Sequence, residues 1–370
     1  MSYNAHVKRV KLFFKMNSNL KKTGAHKNLL IITPYFHPHL GGVEKHVLKT
    51  SLLLQKQGWQ IKIITRQHDP ALATQEQVQG LFVNRFSFPN LRVLGLILIW
   101  LKLLARYFRV FKQADIIQVH DVMVWCLLMR LLFPRKKFVL TVHGWEGVYP
   151  IPLKNIWLKQ LSARLANKVI CVGAFIKKYY GINCDQVILG AVADNIVIGQ
   201  EKKKATSPIR IVYVGRLAKD TGLLMLLTAY QKLPIKVQQT LNLSFIGDGE
   251  LRSQCSTVGE VLGMVDETKI STQLAPAHLC FASGYLSALE GLSAGCLVVV
   301  GSANQLKKDY WSMSELTSKI KICETENELV TLLQQAQQLL AVYDVTAVSA
   351  WAKQYNWQNI TAAYSEIYSS

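Results

Sequence analysis

The stretch Phe281-Ala282-Ser283-Gly284-Tyr285-Leu286-Ser287-Ala288-Leu289-Glu290 runs on through Gly291-Leu292-Ser293-Ala294-Gly295 into Leu297-Val298-Val299-Val300. Its reading decides the fold. Ser283-Gly284 is a turn that opens a helix, and the free N–H groups of such a helix start point at an anion, phosphate above all. Residues 286–293 read as that helix and Gly295 follows it. Residues 297–300 are continuous and β-branched rather than alternating, the pattern of a parallel strand buried on both faces. Glu290 falls about two turns into the helix among apolar residues. A lone carboxylate there is costly unless hydrogen-bonded, and ribose hydroxyls would supply such bonds.

The same alternation of strand and helix extends outward in both directions. Residues 209–214, 223–233 and 243–246 read as strand, helix and strand. Upstream, strands at 28–33, 61–65, 116–120, 137–143 and 168–172 accompany a helix at 43–57 that stops at Gly58. A charged stretch at 201–208 separates the two series. The chain is therefore expected to be α/β, with two Rossmann-like lobes facing each other across a cleft. Residues 27–200 form the first lobe and 205–350 the second. Residues 1–26 are a basic leader, and residues 351–370 a terminal helix packing back toward the first lobe. Ligands of such sheets bind at the carboxyl ends of the strands.

A length of 370 residues fits two domains better than one core. The charge is lopsided. Residues 1–200 carry 28 Lys+Arg against 8 Asp+Glu, the whole of the net +20, whereas residues 201–370 hold 15 of each. An anionic partner for the first half is implied. The segment 91–112 fits a membrane surface: the apolar run 93–101 is too short to span a bilayer, and Lys102, Arg106 and Arg109 share one helical face. A nucleic acid ranks below it, because basic motifs interleaved with aromatics are missing. The seven cysteines include no C-x-x-C pair and read as reduced core residues in a cytoplasmic setting.

Two further glycine sites lie at strand ends. Gly41-Gly42 precedes the 43–57 helix, and Gly215-Arg216 ends the 209–214 strand, where a guanidinium can grip a diphosphate through two parallel bonds. His37, His39 and Glu44 read as loop and helix-start residues. His120-Asp121 reads as a strand end, and Trp145 and Tyr149 as packing or sugar-stacking aromatics.

Taken in order, Gly41-Gly42-Val43-Glu44, Thr141-Val142-His143-Gly144, Gly215-Arg216, Gly247-Asp248-Gly249 and Leu289-Glu290 through Gly295 to Val298-Val299 make the chain resemble family 4 glycosyltransferases of the GT-B fold. The resemblance spans roughly residues 28–365. It implies a retaining transferase whose second lobe holds a nucleotide sugar and whose first lobe takes a glycan or lipid-linked acceptor. Donor contacts would come from Gly41, Gly42, Gly215, Arg216, Ser283, Gly284, Tyr285, Leu286 and Glu290, with catalytic roles for Arg216, His143 and Lys219. No Asp-x-Asp motif occurs, so no metal is expected, and the nucleotide sugar is substrate rather than cofactor. Two positions depart from the family pattern. Ala282 stands where a Glu is common, and Thr221 where a Lys is common, with Lys219 the nearby substitute. These departures motivate an alternative, a catalytically impaired sugar-nucleotide-binding protein. A nucleotide-sugar epimerase is a further one.

Overall fold

The computed structural model describes residues 27–370 apart from 40, 90, 91, 145, 146, 194, 195, 197, 198 and 200–207. The leader at 1–26, Trp145 and nearly all of the 201–208 linker lie outside the described residues.

The first lobe is built on β1 (Asn28–Thr33), β2 (Gln60–Arg66), β3 (Gln75–Val78), β4 (Leu81–Phe86), β5 (Ile116–His120), β6 (Lys137–Val142), β7 (Lys168–Val172) and β8 (Gln186–Ile188). Their order across the sheet is β3-β4-β2-β1-β5-β6-β7-β8. All pairs are parallel except β3 against β4. The second lobe holds β9 (Ile209–Val214), β10 (Leu241–Ile246), β11 (Glu260–Gly263), β12 (Leu279–Ala282), β13 (Leu297–Gly301) and β14 (Ile320–Cys323). Their order is β11-β10-β9-β12-β13-β14, parallel throughout.

The buried character of the strands follows their composition. Every residue of β5, β12 and β13 is buried, because helices cover both faces of each sheet. The edge hairpin β3–β4 escapes sequence reading because Gln75–Val78 is polar. Its turn places Gln79 and Gly80 at positive φ, the geometry of a tight hairpin.

Strand order reverses direction between β1 and β5 in the first sheet, and between β9 and β12 in the second. A crevice opens at the carboxyl ends of strands at such points. Gly41 and His143 follow β1 and β6, and His120 ends β5. Gly215 and Ser283 follow β9 and β12.

The last helix, Trp357–Ser369, lies on the first lobe. Tyr364 Oη meets His46 Nε2 at 2.9 Å and Thr141 Oγ1 at 2.8 Å, and Tyr368 Oη donates to Gln118 Oε1. The chain thus closes back on the lobe it began in.

Two sequence expectations need correction. Cys171 of β7 and Cys184, just before β8, are joined in a disulfide, so those two are not free core thiols. Cys126, Cys255, Cys280, Cys296 and Cys323 are free and buried. A separation of 13 residues matches no redox or metal spacing, and only the pairing of β7 with β8 brings the two together. The second correction concerns the helix Arg92–Gln113. Arg106 and Arg109 are exposed, but Lys102 is only partly so, its Nζ donating to Ser87 O. The basic stripe is therefore two residues wide. The outward face also carries exposed Leu94, Ile97, Leu101 and Phe108, opposite buried Ile99, Leu103, Tyr107 and Phe111.

Candidate active site

At the β9–β12 switch point three chain segments meet. Gly215 has φ +151, and a Cβ there would collide with Ser283 Oγ, which donates to Val214 O. Gly247 has φ +136, and a Cβ there would collide with Gly215 O. Glycine is required at both positions for the loops to close on one another. Arg216 projects from this junction with its side chain 67% exposed, its Nη2 donating to Asp220 Oδ2 at 2.6 Å. Gly284 then caps the helix Tyr285–Ser293, but contrary to expectation its first N–H groups are not free: those of Ser283 and Gly284 donate to Ser287 Oγ and that of Tyr285 to Tyr310 Oη. An exposed guanidinium beside the positive end of a helix still favours an anion.

The turn after Arg216 is filled from inside. Thr221 is buried, donating to Ala218 O at 2.6 Å and accepting from Tyr213 Oη at 2.9 Å. Lys219 is exposed, and its backbone N–H donates to Glu250 Oε1. A buried ammonium arrives from elsewhere. Lys307, in the helix Gln305–Ser312, donates from Nζ to Ser283 O at 2.8 Å and lies over the rings of Tyr310 and Trp311.

On the facing lobe, His120 Nδ1 and His143 Nε2 are 3.0 Å apart, with His46 packed edge-on to both. Burial pushes His46 and His120 down to about 3 and His143 to about 4. All three are neutral at pH 7. Asp121, at φ +60, accepts from His143 N–H and from Lys159 Nζ. Burial alone would raise its carboxyl, but Lys159, His143 and those hydrogen bonds hold it below the ordinary value.

The two lobes touch across the cleft. Lys45 Nζ pairs with Glu290 Oε1 at 2.5 Å and with Glu267 Oε1 at 3.0 Å, and Lys49 reaches Glu267 Oε2. Lys178 Nζ and Tyr179 Oη both engage Asp309 Oδ2. Leu286 presses against Gly42 and Gly190, where even a methyl group would be tight, and Tyr285 Oη abuts Gly173.

Residues 40–182, most of the first lobe, match the model of Glycosyltransferase Family 4. Over those residues the first lobe is similar to glycosyltransferase family 4. Over the whole length, the chain is 23% identical to an uncharacterized glycosyltransferase of Methanocaldococcus jannaschii, covering 92% of this chain and 97% of that one. It is also 23% identical to a phosphatidylinositol N-acetylglucosaminyltransferase chain of Arabidopsis thaliana, over 92% of this chain and 81% of that one. Among solved structures it resembles sucrose-phosphate synthase from Thermosynechococcus elongatus, with TM-score 0.72, 15% identity and 93% and 98% of the two chains covered. Anabaena HepE in complex with UDP-glucose superposes with TM-score 0.71 and 15% identity over 93% and 100%. The architecture is GT-B, and the chain is a glycosyltransferase.

The glycosyltransferase brings Gly215, Arg216, Ser283 and Gly284 together at one strand-end junction, and sets Gly41, Gly42 and His143 on the opposite wall. Three other expected site residues lie differently. The Tyr285 side chain turns inward, stacked on Tyr310 at 3.9 Å and donating to Tyr310 O, and its backbone N–H donates to Tyr310 Oη. Leu286 is spent on the contact between lobes. The Lys219 side chain is exposed, whereas the buried cation at the junction is Lys307. Glu290 is where it was expected, buried in the helix, and Lys45 of the opposite lobe compensates its charge. Lys45, Lys307 and Asp309 escaped sequence reading. Each looks like part of a solvated helix face until its distant partner is in place, the other lobe for Lys45 and Asp309 and the Ser283 turn of the same lobe for Lys307.

Proposed function

We propose that this glycosyltransferase is retaining and metal-independent, moving a sugar from a nucleotide-sugar donor in the second lobe to a lipid-linked or glycan acceptor at the inner face of a membrane. The observation that carries this reading is the convergence of exposed Arg216 with the positive end of the helix Tyr285–Ser293. In the reaction, the bond between the anomeric carbon and the diphosphate oxygen breaks and its electron pair stays on that oxygen. The acceptor hydroxyl oxygen forms the new bond and its proton passes to the diphosphate. Arg216 meets the charge as it grows, the task a metal performs elsewhere. The neutral His143 would face the sugar as a hydrogen-bonding group, not as a cation. Retention follows the family resemblance.

The lipid acceptor is supported by the name of the Arabidopsis relative, a phosphatidylinositol N-acetylglucosaminyltransferase. The outward apolar stripe of the helix Arg92–Gln113 supports it too. So do exposed Leu131 and Leu132 on the adjoining helix, and exposed Leu153 and Trp157 on the helix Leu153–Leu165. Patches of this kind mark interaction sites. No described helix is long and apolar enough to cross a membrane.

The test begins with a thermal-shift panel of UDP, GDP and ADP sugars. With the sugar nucleotide that binds, Arg216→Ala should lower turnover by on the order of 10²-fold while weakening ground-state binding far less. Activity should persist in EDTA. A strict metal requirement, or normal turnover in the Arg216 variant, would overturn the assignment.

A further inference from the structure

Lys307 stands out among the described lysines because it is buried at the edge of the cleft rather than at its surface. It is 4% exposed, and its ammonium rests in a cradle of Ser283 O, the Tyr310 ring at 4.5 Å and the Trp311 ring at 5.3 Å. Ser283 is the last residue before the helix start at Gly284. The ammonium thus sits at the turn that begins this helix, where Gly215 and Ser283 close on one another.

A second cation is close. The Arg216 guanidinium disfavours charge on Lys307 and the Asp220 carboxylate favours it. Burial weighs most and brings the ammonium down to about 8. Asp220 is itself bonded to Arg216. Two cations, a carboxylate that interacts with both and the positive end of a helix therefore converge on one junction. Nothing about packing demands a lysine there, since a methionine would fill the same aromatic cradle without the cost of burying a charge. A site that concentrates positive charge against a desolvation cost is built for an anion.

We propose that Lys307 binds the diphosphate of the donor together with Arg216, as a second cation contributed by the helix Gln305–Ser312. The inference rests on the donor-site reading above and adds to it the residue that completes the phosphate cradle. Helix Gln305–Ser312 also carries Asp309, which Lys178 and Tyr179 of the first lobe grip. Closure of the lobes and placement of Lys307 are thereby borne by one element.

The experiment compares wild-type protein, Lys307→Met, Lys307→Arg and Arg216→Ala. Calorimetry measures the tightest binder among UDP, GDP and ADP, and ligand-observed NMR measures the corresponding nucleoside. Lys307→Met should weaken the diphosphate by about tenfold or more while leaving the nucleoside within about twofold, as expected when a charged hydrogen bond to phosphate is lost. Lys307→Arg should recover most of the loss. Nucleoside binding also reports that the lobe is folded. If Lys307→Met binds the diphosphate like wild type, or loses diphosphate and nucleoside equally, Lys307 is a structural lysine and the inference fails. If wild type binds none of the three diphosphates, the donor-site reading itself has failed. If Arg216→Ala weakens binding and Lys307→Met does not, only the role of Lys307 falls.

Discussion

Glu290 has one partner in the fold and a second in the proposed donor site. Its carboxylate is buried and bridged to Lys45 of the other lobe, and it lies in the helix whose start faces the proposed diphosphate site. Removing one member of a buried pair leaves the other charge uncompensated, which costs more than the pair itself contributes. Glu290→Gln should therefore lower the melting temperature. It should also weaken donor binding by about 1–3 kcal/mol if the carboxylate accepts from ribose. Lys45→Met separates the two effects, since it removes the bridge and keeps the carboxylate. Donor affinity measured by calorimetry should fall less in Lys45→Met than in Glu290→Gln. Equal losses would assign Glu290 to bridging the lobes alone. At this scale the sequence was legible where chemistry is local. Gly215-Arg216 and Ser283-Gly284 each sit at a strand end, and strand ends can be read from hydrophobic runs. Lys45 and Lys307 were not legible, because their partners lie 245 and 24 residues away and each resembles a surface lysine of its own helix.

Among the elements, the helix Arg92–Gln113 has the most direct bearing on where the enzyme works. One face buries Ile99, Leu103, Tyr107 and Phe111, and the opposite face shows Leu94, Ile97, Leu101 and Phe108 to solvent, with Arg106 and Arg109 beside them. Two separable contributions to membrane binding follow. The arginines should contribute about 1 kcal/mol each at an anionic leaflet and lose it in salt. The leucines and isoleucine should add a salt-resistant part. In liposome co-sedimentation, Arg106→Gln with Arg109→Gln should abolish the preference for anionic vesicles. Ile97→Ser with Leu101→Ser should reduce binding at every salt concentration. Neither change should alter donor affinity. No effect of either pair would mean that this face meets something other than a lipid surface. The helix itself was evident from its apolar content, but which face would be outward was not. With apolar residues on both sides, periodicity does not say which stripe meets the sheet.

For the whole molecule, pH is an informative variable. His46, His120 and His143 form a buried group held neutral chiefly by burial, with values of about 3, 3 and 4 against 6.5 for an ordinary histidine. Below pH 6.5 the unfolded chain takes up protons that the folded chain refuses. Stability is therefore fully present above that point and is lost as pH falls toward 4. The melting temperature should drop steadily between pH 7 and pH 5. His46→Gln should flatten that slope, and an unchanged slope would remove the histidine from the account. The Trp357–Ser369 helix should be released early in acid, because Tyr364 bonds to His46. The two-lobed plan was legible because each strand–helix unit repeats a local pattern. The closeness of the lobes was not, since it depends on pairs such as Lys178 with Asp309 that join distant segments. The central claim is that the donor lies in the second lobe, between Arg216 and the start of the helix Tyr285–Ser293. Hydrogen–deuterium exchange, with and without the sugar nucleotide that binds tightest in the UDP, GDP and ADP panel, tests it most directly. Protection should concentrate in residues 214–222 and 283–290. Protection confined to the first lobe, or none in those two segments at saturating ligand, would contradict it.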